Sequence, residues 1–173
     1  MAAGGAHARP FATAWGRFMF FTGRHAISIE DSGRCSLPAS LRAPLRSAGA
    51  PEGAETLYVF PSLDMSCLEA AGEAYLAGRR RILAKMKPFD PRREALERLY
   101  FGEARCLSVD AKGRVSLPAE LRDSVSIGAE AICVGMGDRF QIWAPDREEV
   151  RRTVALAAAG DLHDIESVED DAS

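Results

Sequence analysis

A chain of 173 residues, 47% of them hydrophobic, can bury a core as one domain or two very small ones. Its net charge of −3 and pI near 5.7 exclude a uniformly basic coat of the kind that binds nucleic acid indiscriminately. The charge is uneven, however: residues 161–173 hold six acids and no Lys or Arg, which leaves a body with 22 basic against 19 acidic residues.

From the N-terminus, residues 1–18 are rich in Ala and Gly and read as a disordered extension, with the folded part opening at Met19, a candidate natural start. The apolar patch Phe18–Phe21 is too short for a secretory signal, and no run reaches the roughly 18–20 apolar residues that cross a bilayer. His25, Ile27 and Ile29 alternate with smaller or polar residues, the period of a half-buried strand. A polar turn follows at Glu30–Gly33, then a short strand from Arg34 to Leu37. Pro38 stands where a helix should start, at the first helical position, and the helix runs to about Arg46. Leu57–Phe60 reads as a closing strand. Three helical segments come next: Cys67–Ala77, the basic Arg79–Lys87, and one capped by Asp90 with Pro91 behind it and Leu96, Leu99 and Tyr100 on one face. That apolar face exceeds what a small core needs and predicts self-association.

The pattern then restarts, with a strand around Cys106, the turn Asp110–Gly113, a strand Arg114–Leu117, Pro118 and a helix to Ser124. Ala131–Gly135 closes this copy, and Phe140–Trp143 adds a strand. A last helix starts at Pro145, with acids in its first turn, and is expected to end at Gly160, ahead of an acidic disordered tail over 161–173. The expected divisions are therefore 1–18, 19–66, 67–100, 101–144, 145–160 and 161–173.

The restart is a repeat at an offset of 80 residues. Phe21–Arg42 aligns without gaps on Phe101–Arg122 with ten of 22 positions identical, where chance gives about one or two. The identities include Gly33/Gly113, Arg34/Arg114 and the block Ser-Leu-Pro-Ala with its following Leu and Arg. Neither copy can bury a core alone. Both together predict one mainly β, pseudo-symmetric barrel with peripheral helices.

Strand, D-x-K-G-R turn, strand, L-P-A and helix, present twice, resemble the SpoVT-AbrB half-domain in the tandem form of the MraZ family. The resemblance spans about Phe20 to Ala159 and is carried best by VDAKGRVSLPAELR with VGMGDRFQIW. The first copy, followed by LYVFPSLD, is degraded: Glu30 replaces the acid found as Asp110, and Ser32 stands where the second copy has Lys112. The resemblance implies a swapped-hairpin, AbrB-like barrel made within one chain. It implies ring-shaped homo-oligomers, commonly octamers, that bind double-stranded DNA at repeated G-rich promoter boxes. It further implies a cytoplasmic, nucleoid-associated regulator that represses the division and cell-wall gene cluster.

The chemistry of the turns fits that expectation. A Gly-containing turn holds an arginine at a protruding corner, and a guanidinium can bond guanine O6 and N7 together, worth about 1 to 3 kcal/mol of discrimination. Arg34 and Arg114 are the candidate base readers, and Lys112 a candidate phosphate contact. Glu30, Gly33, Asp110 and Gly113 support the turns, each acid bracing its own copy's arginine. A lone D-x-K-G-R is read as a hairpin with a local ion pair; two copies in one wider pattern read as paired DNA contacts. Arg79–Arg81 with Lys85 and Lys87 are either a solvated helix face or a second DNA surface. The acidic tail either only solvates or competes with DNA for the basic body.

Catalysis, cofactors, metals and small-molecule substrates find no motif. Ser36 and Ser116 sit in S-L-P rather than a nucleophile elbow. Cys35, Cys67, Cys106 and Cys133 form no C-x-x-C pair, and His7, His25 and His163 are isolated, so reduced thiols are expected. The rival function is a protein-interaction scaffold, antitoxin-like, on the same fold.

Overall fold

The computed structural model describes residues 20–46 and 55–170, the stretch 161–170 by its backbone alone. The expected extension over 1–18, the Met19 start and the last three residues of the tail lie outside them. In chain order come β1 (Arg24–Ser28), β2 (Arg34–Ser36), α1 (Ala39–Arg42) with a 3-10 turn, β3 (Glu55–Pro61), β4 (Leu68–Ala71) and α2 (Glu73–Leu83). There follow α3 (Pro91–Glu97) with a π-helical turn, β5 (Arg105–Val109), β6 (Arg114–Ser116), α4 (Ala119–Ser124), β7 (Glu130–Gly135), β8 (Phe140–Trp143) and α5 (Pro145–Asp170).

Mainly antiparallel sheet with peripheral helices is the architecture. The strand order is β1-β7-β8-β4-β3-β5, with β2 and β6 paired as a separate ribbon. The opening strand of each copy lies beside the closing strand of the other: β1 on β7, with Ala26 opposite Ile132, and β5 on β3, with Leu107 opposite Leu57. The six-stranded sheet ends in β1 and β5, so among the described residues hydrogen bonds do not close the strands into a ring.

The period of two decides which residues meet. Ile27, Ile29, Leu57, Val59, Leu68 and Ala70 join Val109, Val115, Leu117, Ala131, Cys133, Phe140 and Ile142 in one core fed by both copies. Leu41 and Leu121, from the two short helices, complete it. On the other side of β3 and β4, Phe60 and Ala71 pack with Tyr75, Leu76, Leu83 and Tyr100 in a second cluster. Phe60 meets the Tyr100 ring edge-on at a centroid distance of 5.5 Å.

Four expectations are corrected. Leu68–Ala71, read as part of a helix, is strand β4, paired with both β3 and β8. Its Leu, Glu and Ala favour helix locally, but a central slot between two strands outweighs that preference. The first copy therefore also owns a counterpart of β8. Pro38 and Pro118 precede their helices rather than opening them, with ψ of 147° and 142°. The face of Leu96, Leu99 and Tyr100 is not wholly free: Tyr100 is buried in the second cluster and Leu96 packs partly against it, while Leu99 stays half-buried. Finally, α5 runs past Gly160 to Asp170. Gly160 does not take the left-handed conformation that ends a helix, and an interior glycine costs only about 1 kcal/mol relative to Ala.

Candidate nucleic-acid interface

The two turns are built alike. In the first, the Glu30 N–H donates to Arg34 O at 2.9 Å and the Gly33 N–H to Glu30 O at 2.8 Å. In the second, Asp110 N–H to Arg114 O and Gly113 N–H to Asp110 O repeat these at 2.9 and 2.8 Å. Each turn needs its glycine, with φ of 83° at Gly33 and 80° at Gly113. The turns are also stitched to each other: Leu37 N–H donates to Gly113 O and Leu117 N–H to Gly33 O.

This crossing creates the ribbon. Arg34 lies opposite Ser116, and Ser36 opposite Arg114. Cys35 and Val115 point into the core, which leaves Arg34, Ser36, Arg114 and Ser116 on the outer face. Two guanidinium groups from positions 80 residues apart therefore share one surface, and both line one shallow groove with Ser28 and Glu30.

The turns differ in charge and in bracing. Asp110 accepts from the N–H groups of Lys112 and Arg114 at 2.9 Å through Oδ1, while Arg114 Nε donates to Oδ2 at 2.7 Å. The Arg114 N–H first, with its guanidinium and the Lys112 N–H, holds the Asp110 carboxyl below its ordinary range. Glu30 does not repeat this: among the described residues its carboxylate accepts only from Ser32 Oγ, at 3.5 Å, and Arg34 makes no ion pair with it. The extra methylene carries the carboxylate away from the turn amides, and Ser32 Oγ takes the Arg34 N–H instead, at 3.4 Å. The expected brace thus exists in the second copy and not in the first. Arg34 and the Lys112 side chain are exposed, and Arg114 is half-buried.

Sequence reasoning passed over the flanking groups. Arg42 Nη1 reaches Ala111 O in the other copy's turn at 3.5 Å, and Arg122 Nε bonds Leu117 O at 3.3 Å. Both are repeat identities, as are Ser36 and Ser116, and that identity was the available signal. Of the basic run on α2, Arg79 is engaged elsewhere: it donates to Tyr75 Oη at 2.7 Å and lies over the Tyr75 ring. Arg80 and Arg81 are exposed. Burial pushes the thiols of Cys35 and Cys67 up to about 11 and that of Cys133 up to about 12, so these three stay protonated core residues at neutral pH.

Residues 100–149, the second copy, match the family model described as "MraZ protein, putative antitoxin-like". The transcriptional regulator MraZ of Beijerinckia indica subsp. indica is 36% identical over 139 residues, covering 78% of this chain and 82% of that protein. The transcriptional regulator MraZ of Rickettsia bellii is 36% identical over 118 residues, 68% of this chain and 76% of its own. That of Parvibaculum lavamentivorans is 36% identical over 126 residues, 72% and 76% of the two chains. With relatives of this identity matched over most of their length, and the repeated turn frame in both sequence and fold, the chain belongs to the MraZ family.

Proposed function

We propose that this chain is a sequence-specific DNA-binding transcriptional regulator acting as a homo-oligomer. The observation that carries the reading is the outer face of the β2–β6 ribbon, where Arg34 and Arg114 stand at diagonal corners, each opposite a serine, Ser116 and Ser36. Arginine can read guanine edges and serine hydroxyls can bond phosphates, so one small face offers both positioning and base readout. The names of the relatives, transcriptional regulator MraZ, support the same reading. Asp110, Gly113, Gly33 and the backbone of Glu30 hold the turns, and Lys112 contacts phosphate.

The finer reading is a ring-shaped assembly, an octamer by family resemblance, on repeated promoter boxes. There it represses the division and cell-wall gene cluster in the cytoplasm, on the nucleoid. Among the described residues no group of three or more His, Cys, Asp or Glu could hold a metal ion. The rival, an antitoxin-like protein-interaction scaffold, draws on the wording of the family description.

The deciding experiment is a mobility-shift assay on the duplex upstream of the chain's own gene, run at several salt concentrations. A retarded complex that competes poorly with unrelated DNA and weakens steeply with salt is expected. No sequence preference in a folded, oligomeric protein would sink the regulator reading and favour the scaffold. Light scattering should give a mass several times 18.7 kDa.

A further inference from the structure

Beside the second cluster lies a cleft of about 400 Å3 that the β2–β6 ribbon does not touch. Its walls come from α2, the π-helical turn, the loop between β3 and β4, strand β8 and the first turns of α5. A cleft of this size fits a small organic molecule, and specificity in such a site comes from a few fixed polar groups.

Three arginines and two acids line it: Arg79, Arg139 and Arg151 against Asp64 and Glu69. Both acids are already engaged. Asp64 accepts from the hydroxyls of Ser62 and Ser66 at 2.7 and 2.6 Å and from the Ser66 N–H at 3.2 Å. Those hydrogen bonds hold its carboxyl below the ordinary range, so it stays ionised and satisfied within its own loop. Glu69 accepts from Arg139 Nε at 3.1 Å and from Tyr75 Oη at 3.3 Å. Arg139 is paired a second time, with Asp138. Arg79 and Arg151 are left over, and neither has a carboxylate within ion-pair distance among the described residues.

Arg79 is fixed rather than loose. Its Nη2 donates to Tyr75 Oη at 2.7 Å, and its guanidinium lies over the rings of Tyr75, at 4.6 Å, and Tyr100, at 5.7 Å. Burial pushes Tyr75 up to about 12, so its hydroxyl keeps the proton it donates to Glu69 while accepting from Arg79. The tyrosine takes one of the five N–H donors that a guanidinium carries. Arg151 stands three residues beyond the buried Glu148, on the same side of α5, which brings it to the cleft. A half-buried guanidinium with spare donors and no counter-charge is stabilised by an anion from outside. Two such groups match the double charge of a phosphate monoester better than the single charge of a carboxylate.

We propose that this cleft binds the phosphate group of a small phosphorylated molecule between Arg79 and Arg151. The site shares no residue with the ribbon of Arg34 and Arg114, and it does not rest on the DNA reading.

Isothermal titration of the full-length chain with glycerol 3-phosphate tests it, with acetate and glycerol as comparisons. One glycerol 3-phosphate per chain should bind, at least about tenfold more tightly than acetate, and glycerol should not bind. Arg79→Gln and Arg151→Gln should each weaken binding about tenfold. Arg80→Gln, an exposed neighbour on α2 outside the cleft, should leave it unchanged. Thermal melts identify a variant that has lost its fold, and the exposed Arg151 supplies one expected to keep it. No saturable binding to the folded chain would overturn the proposal. So would equal affinity for acetate, or indifference to both cleft substitutions, which would place the phosphate elsewhere on the surface. A loss with Arg80→Gln as large as with Arg79→Gln would mean diffuse attraction to the basic helix and overturn it too. Mobility shifts report separately on the DNA reading.

Discussion

At the scale of single residues, the two turns share a backbone but not a chemistry. Asp110 binds two amides and one guanidinium, whereas Glu30 binds none of the corresponding groups. Arg114→Ala should therefore cost about 1 to 3 kcal/mol for each subunit turn that reads a base, and should erode operator preference. Lys112→Ala should weaken all sequences alike and lower the salt slope by about one per contacting subunit. Arg34→Ala should do less than Arg114→Ala, since Ser32 brings no phosphate contact beside it. Binding isotherms on operator and scrambled duplexes check this, and equal damage from Arg34→Ala would refute the asymmetry.

Stability should show the opposite asymmetry. A Cβ on Gly33 would lie 2.2 Å from the backbone oxygen of Leu117, while one on Gly113 would meet the movable guanidinium of Arg42 at 2.5 Å. Both positions carry the positive-φ cost of about 1 kcal/mol. Gly33→Ala should reach about 2 to 3 kcal/mol, because the opposing backbone must shift. Thermal melts of the two variants settle the order. On these expectations the first turn should matter more for the fold, and the second more for the proposed DNA contact.

Elements show a related division. The opening strand of the first copy is held on one side by β7 and at its start by the base of α5, through Arg24 and Glu148. Arg24 is half-exposed, so its guanidinium can be rehydrated when the carboxylate is lost. Glu148→Ala should then cost about 1 to 2 kcal/mol rather than the 3 to 5 of a fully buried pair. Amide exchange should quicken in β1 and in the first turns of α5 while the β2–β6 ribbon stays protected. Uniform loss of protection would show that α5 is an integral wall of the core instead.

At the scale of the whole molecule, charge is separated between a mildly basic body and the acidic end of the chain. Deleting residues 161–173 moves the net charge from −3 to +3. Binding to non-specific duplex should tighten or stay equal, read by fluorescence anisotropy at low salt. Weaker binding after the deletion would contradict competition between the acidic end and DNA.

The sequence by itself determined most of the strands, both turns and the arginines, because these rest on local signals: period two, glycine at positive φ, and an internal repeat that makes chance agreement negligible. It also carried the family, through VDAKGRVSLPAELR. What only the tertiary structure decided depends on which strand lies beside which. Leu68–Ala71 became a strand because a slot between β3 and β8 was open to it, and no local propensity encodes a distant slot. Tyr100 packs on Phe60, which takes one residue out of a face that looked free when read along the chain. The exchange of β1 and β5 between the copies, and the crossing of β2 on β6, placed Arg34 and Arg114 on one face; hydrogen bonding between segments 80 residues apart is a property of the folded chain alone.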